Sequence, residues 1–186
     1  MIICVNRCFK YRMSDEKRII LTGFMGVGKS TVAKHLSHLL ECERLDLDAK
    51  IIESEHRTIA EIIEQEGIDK FRQIETAQLG RILESNAKII ALGGGAWTIE
   101  ENRRLIKDHH FTTVWLESSF EHCWLNISAS KRVRPLARNK SDALKLFEER
   151  QRVYCLADWH FIIKPELNSY EVAKRIAEEI FFYEFN

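Results

Sequence analysis

The chain has 186 residues, a length that fits one domain with a full hydrophobic core. Basic and acidic residues both number 28, and this balance argues against a surface dedicated to nucleic acid or to an anionic membrane. A hydrophobic share of 45% with 2 prolines excludes a disordered chain, and no apolar run approaches the roughly 20 residues of a membrane span.

The 5 cysteines are scattered and include no CxxC pair. Such a set is typical of reduced thiols inside the cell rather than of a disulfide framework or a zinc site. We therefore expect a cytoplasmic protein. The first residues, MIICVNRCFKYRM, place apolar residues before basic ones, which is the reverse of a signal peptide. Residues 1–17 are predicted to be an extension, with Met13 as an alternative start, and residues 18–186 to form a single domain.

Short apolar runs alternate with longer helical periods from Arg18 onward, which predicts an α/β fold with a parallel sheet and helices on both faces. The predicted strands are Ile19–Thr22, Arg44–Leu47, Lys88–Leu92, Thr112–Leu116 and His160–Ile163. The predicted helices are Lys29–Leu40, a stretch from Thr58 to about Leu83 with a break near Gly67, a helix that begins at Thr98, Phe120–Ile127, Ser141–Cys155 and Tyr170–Phe181. Thr58 and Thr98 are each followed three residues later by Glu, which is the spacing of a capping box.

The segment 128–141, SASKRVRPLARNKS, fits neither a helical nor a strand period. It is basic and polar and contains Pro135. Composition alone favours a solvated surface loop.

One motif carries the chemistry: Gly23-Phe-Met-Gly26-Val27-Gly28-Lys29-Ser30 matches G-x-x-x-x-G-K-[ST] between a predicted strand and a predicted helix. In such a P-loop, backbone N–H groups and the helix N-terminus bind phosphates, the lysine reaches the outer phosphates, and the hydroxyl ligates Mg²⁺. A dinucleotide fingerprint does not fit, because Thr31 stands where Gly or Ala is required. The sequence therefore predicts an ATP or GTP enzyme, with Gly26, Val27, Gly28, Lys29, Ser30 and Thr31 at the nucleotide.

Asp46 and Asp48 follow the second predicted strand, at the edge of an open α/β sheet where ligands bind. In an extended chain, residues two apart share a face, so both carboxylates are expected to point into one crevice. One carboxylate would support the metal and the other would accept a hydrogen bond from a substrate hydroxyl. The alternative is that the two aspartates cap the next helix.

Three consecutive glycines, Gly93, Gly94 and Gly95, end the third predicted strand. They are either a plain turn or a place where the backbone must approach a ligand closely, with N–H groups available to its hydroxyls.

Taken in order, these motifs resemble the set found in the shikimate kinases. The matching residues are Gly23–Thr31, Asp46 with Asp48, Phe71-Arg72 with Glu75, Leu92–Ala96, Arg134-Pro135-Leu136, and Arg150 with Tyr154. The resemblance implies a P-loop NTPase-like three-layer sandwich with a five-stranded parallel sheet, a substrate-binding helical region at about 48–84 and a mobile lid at about 128–141. It also implies transfer of the γ-phosphate of ATP to the 3-hydroxyl of shikimate, in aromatic amino-acid biosynthesis.

The resemblance also implies residue roles. Asp46 would support Mg²⁺ together with Ser30, and Asp48 would bind the shikimate hydroxyls and act as base. Arg72 and Arg150 would grip the shikimate carboxylate, a task suited to a planar fork of donors, and Glu75 would fix one of them. Arg134 would close over the ATP phosphates, which changes segment 128–141 from a surface loop to a lid. Lys29, Asp48 and Arg134 are thus the catalytic set, and Gly93, Gly94 and Gly95 join the shikimate site.

Local alternatives stay open: on sequence alone Arg72 fits a solvated helix face, and Arg150 fits helix ion pairs. Three departures from the family pattern concern substrate affinity rather than reaction type: Ile63, Trp97, and Arg152-Val153 before Tyr154 where the family usually has proline and leucine. Competing functions are a kinase for another small hydroxylated acid such as gluconate or for a nucleotide, and a non-catalytic nucleotide-binding relative. We expect ATP and shikimate as small-molecule partners, no nucleic acid, no membrane, and a monomer.

Overall fold

The computed structural model describes residues 17–130, 134–137, 139–164 and 166–182. The predicted extension therefore lies outside the described residues, except for Lys17, and so do residues 131–133 and 138 of the predicted lid. In the described part of the chain, no helix combines the length and the hydrophobicity needed to cross a bilayer.

Five parallel strands form one sheet, as predicted. They are β1 (Ile19–Thr22), β2 (Arg44–Asp46), β3 (Ile89–Ala91), β4 (Thr112–Glu117) and β5 (Trp159–Ile162), in the spatial order β2-β3-β1-β4-β5. β1 is central, pairs Ile20 with Ile90 on one side and with Thr113 on the other, and is fully buried. Its burial on both faces explains why it reads as a continuous apolar run rather than an alternating one.

Within the described residues, seven α-helices connect and follow the strands. They are α1 (Lys29–Leu39), α2 (Leu47–Glu55), α3 (Ile59–Leu83), α4 (Glu100–Asp108), α5 (Phe120–Ala129), α6 (Lys140–Tyr154) and α7 (Ser169–Phe181), with a 3₁₀ turn at Ala96–Thr98. The chain moves one way across the sheet from β1 to β2 and the opposite way in every later crossover. Right-handed crossovers therefore place α1, with α7 packed beside it, on one face and α2 to α6 on the other.

The predicted start of α3 is confirmed. The Thr58 side chain accepts from the Glu61 N–H at 3.2 Å, and the Glu61 carboxylate accepts from the Thr58 N–H at 2.7 Å, which completes the capping box. The predicted break is also present, because Gly67 adopts φ 84° and ψ 169° inside α3. Such angles are nearly exclusive to glycine and divide α3 into two segments.

α2 follows β2 without a loop and lies within the helical region of about 48–84 that the resemblance implied, although periodicity had not marked it as a separate helix. One prediction about a helix start is wrong, because Thr98 does not cap α4. The Thr98 hydroxyl instead donates to the Gly95 carbonyl at 2.7 Å, inside the 3₁₀ turn. Ile99 is the residue that precedes α4, and it has no side-chain hydrogen bond to offer.

Candidate active site

The P-loop joins β1 to α1. Gly28 precedes α1 in the left-handed conformation, φ 99°, and no side chain caps the helix N-terminus. Uncapped N–H groups and the positive end of the helix dipole are together suited to bind an anion. Lys29 Nζ donates to the carbonyls of Gly23 at 2.8 Å and Phe24 at 3.0 Å, and burial lowers the pKa of Lys29 to about 8.

A hydroxyl and a carboxylate meet beside this loop. Ser30 Oγ donates to Asp46 Oδ2 at 2.5 Å, while Asp46 Oδ1 accepts from the Ala49 N–H at 3.1 Å. Asp46 thus ends β2 and caps α2 in the same position. Hydroxyl and carboxylate oxygens beside a phosphate site are the donor set that Mg²⁺ accepts, since this ion takes one or two carboxylates together with substrate phosphates.

The expectation that Asp46 and Asp48 share a face of an extended strand is wrong. β2 ends at Asp46, and Asp48 lies in the first turn of α2. Both carboxylates nevertheless line the same cavity, because the turn of the helix returns Asp48 toward the P-loop. The capping alternative holds for Asp46 alone and is compatible with a contact to a metal.

The larger of two neighbouring cavities, about 430 Å³, follows the P-loop. One wall carries His122, Asn126 and Ser130 from α5 and the residue after it, and the other carries residues at the start of α7. Asn126 Nδ2 donates to the Gly26 carbonyl at 2.8 Å and ties α5 to the P-loop. No sequence pattern predicts this contact, because the two residues lie 100 positions apart.

The second cavity, about 90 Å³, lies under α3 and the 134–136 segment. Arg72 Nη1 donates to Glu75 Oε2 at 2.5 Å, and the Glu75 side chain is only 1% exposed. Burial raises the pKa of the Glu75 carboxyl, and the Arg72 charge opposes that rise. Arg150 is buried too and donates from Nη1 to the Gly94 carbonyl at 3.0 Å. The two arginines predicted to act together therefore line one cavity.

The triple glycine is the floor on which these side chains rest. A Cβ at Gly93 would lie 2.5 Å from Asp48 Oδ1, one at Gly94 would lie 3.4 Å from Arg150 Nη1, and one at Gly95 would lie 2.2 Å from Arg72 Nη2. Contacts under 3.0 Å are not tolerated in folded proteins without a shift of one partner. At Gly93 and Gly95 a Cβ would displace the charged end of Asp48 or Arg72, whereas at Gly94 the nearest contact would be 3.3 Å, to Met25 N. The absence of side chains at Gly93 and Gly95 therefore lets these charged groups pack directly against the backbone.

The two cavities meet. Four residues line both of them: Met25, Asp48, Gly94 and Arg134. Met25 was not predicted, although its place inside the P-loop motif is a signal that could have been used. Asp48 at the junction is placed to contact a group in either cavity. Arg134 of the predicted lid also lines both cavities.

The fold and the P-loop cavity define the class: the chain has the fold of the P-loop kinases. A gluconokinase from Sinorhizobium meliloti has this fold, with a TM-score of 0.56 at 17% identity over 89% of this chain and 96% of its own, and this likeness concerns the fold alone.

The family is also defined. The sequence model described as "Shikimate kinase" matches residues 25–181. A shikimate kinase from Cereibacter sphaeroides is 36% identical over 146 residues, which cover 77% of this chain and 72% of the relative. One from Sulfurihydrogenibium sp. is 38% identical over 143 residues, 76% of this chain and 85% of the relative. The shikimate kinase from Acinetobacter baumannii, solved in complex with shikimate, superposes with a TM-score of 0.82 at 32% identity and covers 88% of this chain and 92% of its own. This chain belongs to the shikimate kinase family.

Proposed function

We propose that the chain is an ATP:shikimate 3-phosphotransferase, which forms shikimate 3-phosphate and ADP. The observation that carries the proposal is the meeting of two cavities at Asp48. One cavity has an uncapped helix N-terminus and a lysine for phosphates, and the other has two arginines on a glycine floor for a small acid. The neighbouring arrangement suits transfer of a phosphoryl group from one cavity to the other.

The acceptor cavity explains the choice of substrate. The guanidinium groups of Arg72 and Arg150 both line it, and a planar fork of N–H donors matches a carboxylate. Glu75 balances one of the two positive charges, so the cavity favours a single anionic group rather than a phosphate of higher charge. Ile59, Ile63 and Phe71 add apolar walls suited to the ring of the substrate.

In the proposed reaction, Asp48 takes the proton of the acceptor hydroxyl while that oxygen forms its bond to the γ-phosphorus. The bond between the γ-phosphorus and the bridging oxygen breaks, and its electron pair leaves with ADP. Lys29 and Arg134 stabilise the negative charge that develops on the transferred group. Gly26, Val27, Gly28 and Thr31 complete the binding of the phosphates through the loop and the start of α1.

Ser30 and Asp46 would hold Mg²⁺, and their adjacent oxygens fit that ion. The ion, when bound with the nucleotide, neutralises phosphate charge. We also propose a monomer, since residues of one chain line both cavities, and a cytoplasmic enzyme, since the described cysteines Cys42, Cys123 and Cys155 are free thiols.

An ADP-coupled assay tests the proposal. Purified protein with ATP and Mg²⁺ is supplied with shikimate, gluconate or nucleoside monophosphates in separate reactions. Of these acceptors, we expect only shikimate to cause release of ADP. If folded protein phosphorylates only gluconate or a nucleotide, the chain is a kinase of a different specificity. If folded protein is inactive with all three acceptors, the non-catalytic alternative is supported.

A further inference from the structure

The last turn of α6 is bound to the glycine floor by hydrogen bonds that run in both directions. Arg150 Nη1 and Tyr154 Oη both donate to the Gly94 carbonyl, at 3.0 Å and 2.5 Å. In return, Trp97 Nε1 donates to the Val153 carbonyl at 2.9 Å. Each bond joins residues at least 56 positions apart, so none of them is a consequence of local helix geometry.

Arg150 and Tyr154 reach the same oxygen because they are four residues apart, on one face of α6. Tyr154 is completely buried and Arg150 is 6% exposed. A carbonyl oxygen has two lone pairs, and two donors therefore saturate the oxygen of Gly94. Gly94 is half-buried beside the two cavities, and loss of either donor leaves its oxygen with one protein partner fewer.

The shared acceptor at Gly94 restricts the orientation of the Arg150 guanidinium. Its Nη1 is committed to the backbone, and the rest of the planar fork remains for the small cavity that Arg150 lines. The Tyr154 hydroxyl stands beside that bond at the same acceptor. Burial raises the pKa of Tyr154 to about 12, so the phenol stays a neutral donor throughout the range in which kinases are assayed.

We propose that Tyr154 is a positioning residue for the acid substrate: by holding the Gly94 carbonyl, its hydroxyl fixes both the glycine floor and the guanidinium of Arg150. Tyr154 does not line either cavity and acts through Arg150. The proposal rests on the proposed function, since it concerns binding of the acid substrate by that same site.

A purely structural role for Tyr154 has a different consequence. Removal of its hydroxyl would then lower stability and leave the kinetic constants of the folded fraction unchanged. Trp97 supplies the matched control. Although its departure from the family pattern suggested an effect on substrate affinity, Trp97 lines neither cavity, and Trp97→Phe also removes one hydrogen bond that secures the end of α6. That bond ends on Val153 and not on Gly94, and so it does not fix Arg150 directly.

The test compares wild-type protein, Tyr154→Phe and Trp97→Phe in the ADP-coupled assay, after urea unfolding has shown that each is folded. For Tyr154→Phe we expect the KM for shikimate to rise about tenfold, the size expected for one hydrogen bond to a charged site, with kcat and the KM for ATP within about twofold. Trp97→Phe should leave all three constants within about twofold.

A double-mutant cycle identifies the route. If Tyr154 acts through Arg150, Tyr154→Phe should have no further effect on kcat/KM for shikimate in an Arg150→Ala background. Additive losses in the cycle, an unchanged KM in Tyr154→Phe, or an equal rise in Trp97→Phe would each overturn the assignment. Wild-type protein without shikimate-dependent turnover would instead overturn the proposed function, and this assignment with it.

Discussion

Gly95→Ala tests whether the glycine floor holds the acid-binding arginines. Gly95 has φ −108° and ψ −15°, which alanine adopts without strain, so the backbone itself tolerates the change. The new Cβ would lie 2.2 Å from Arg72 Nη2 and 2.7 Å from Cζ, and the guanidinium has to move by about 1 Å or more to restore ordinary contact. A displacement of that size breaks the 2.5 Å bond to Glu75.

Gly95→Ala should therefore lower both the stability of the protein and its affinity for shikimate. The Arg72 side chain is 22% exposed and can turn toward solvent, whereas Glu75 is buried and loses its partner. An unpaired buried polar group costs about 1–3 kcal/mol of unfolding free energy, and protonation of Glu75 limits the loss. For the substrate, one charge-assisted hydrogen bond is worth about 1.5–3 kcal/mol, which corresponds to a rise of about 10- to 150-fold in the KM for shikimate.

Steady-state kinetics and urea unfolding measure both effects, with Gly80→Ala as the matched control. Gly80 lies inside α3, and a Cβ there meets nothing within 4 Å. Gly80→Ala should therefore raise the free energy of unfolding by about 0.5–1 kcal/mol and leave the KM values for shikimate and ATP unchanged. A KM for shikimate within twofold of wild type in Gly95→Ala, in folded protein, would refute the contact between Arg72 and the floor.

Three further experiments test other parts of the structure. Gly67→Ala places alanine at φ 84°, where no neighbouring atom is near, so backbone strain alone should lower the urea-unfolding free energy by about 1–3 kcal/mol; an unchanged midpoint would contradict the kink. Because burial lowers the pKa of Lys29 to about 8, the free enzyme loses this charge as the pH rises through that value, and the phosphates of ATP favour its return. Calorimetry at pH 8.5 in two buffers should detect net proton uptake when ATP binds, and zero uptake would contradict the lowered pKa of Lys29 in the free protein. Asp48→Asn should lower kcat by about 100-fold or more with ATP affinity retained, whereas parallel loss of ATP binding would argue against a base.

Much of the fold could be predicted because its signals are local. The apolar run of β1, the period of α1 and the capping box at Thr58 each depend on neighbouring residues. Periodicity did not mark α2 as a separate helix because Asp46 ends a strand and caps a helix at once, which leaves no turn residues between the two elements. The prediction that a helix begins at Thr98 is wrong because the Thr98 hydroxyl bonds within a 3₁₀ turn, which no periodicity reveals.

The same distinction between local signals and long-range contacts applies to the candidate site. The P-loop and Asp46 were predicted from motifs a few residues long, and the structure brings them together. The packing of Arg72 and Arg150 on the triple glycine depends on contacts across the fold, which no spacing encodes. Trp97, a departure from the family pattern, is explained by its burial in the core and by its bond to Val153, 56 residues away.

Identification of the reaction product tests the central claim most directly. ATP, Mg²⁺ and shikimate are incubated with the enzyme, and the products are examined by phosphorus and proton magnetic resonance while ADP is counted. We predict one phosphorylated product, with the phosphate on the 3-hydroxyl, in a one-to-one ratio with ADP. ADP formed without a phosphorylated acid, or a phosphate on another hydroxyl, would contradict the account.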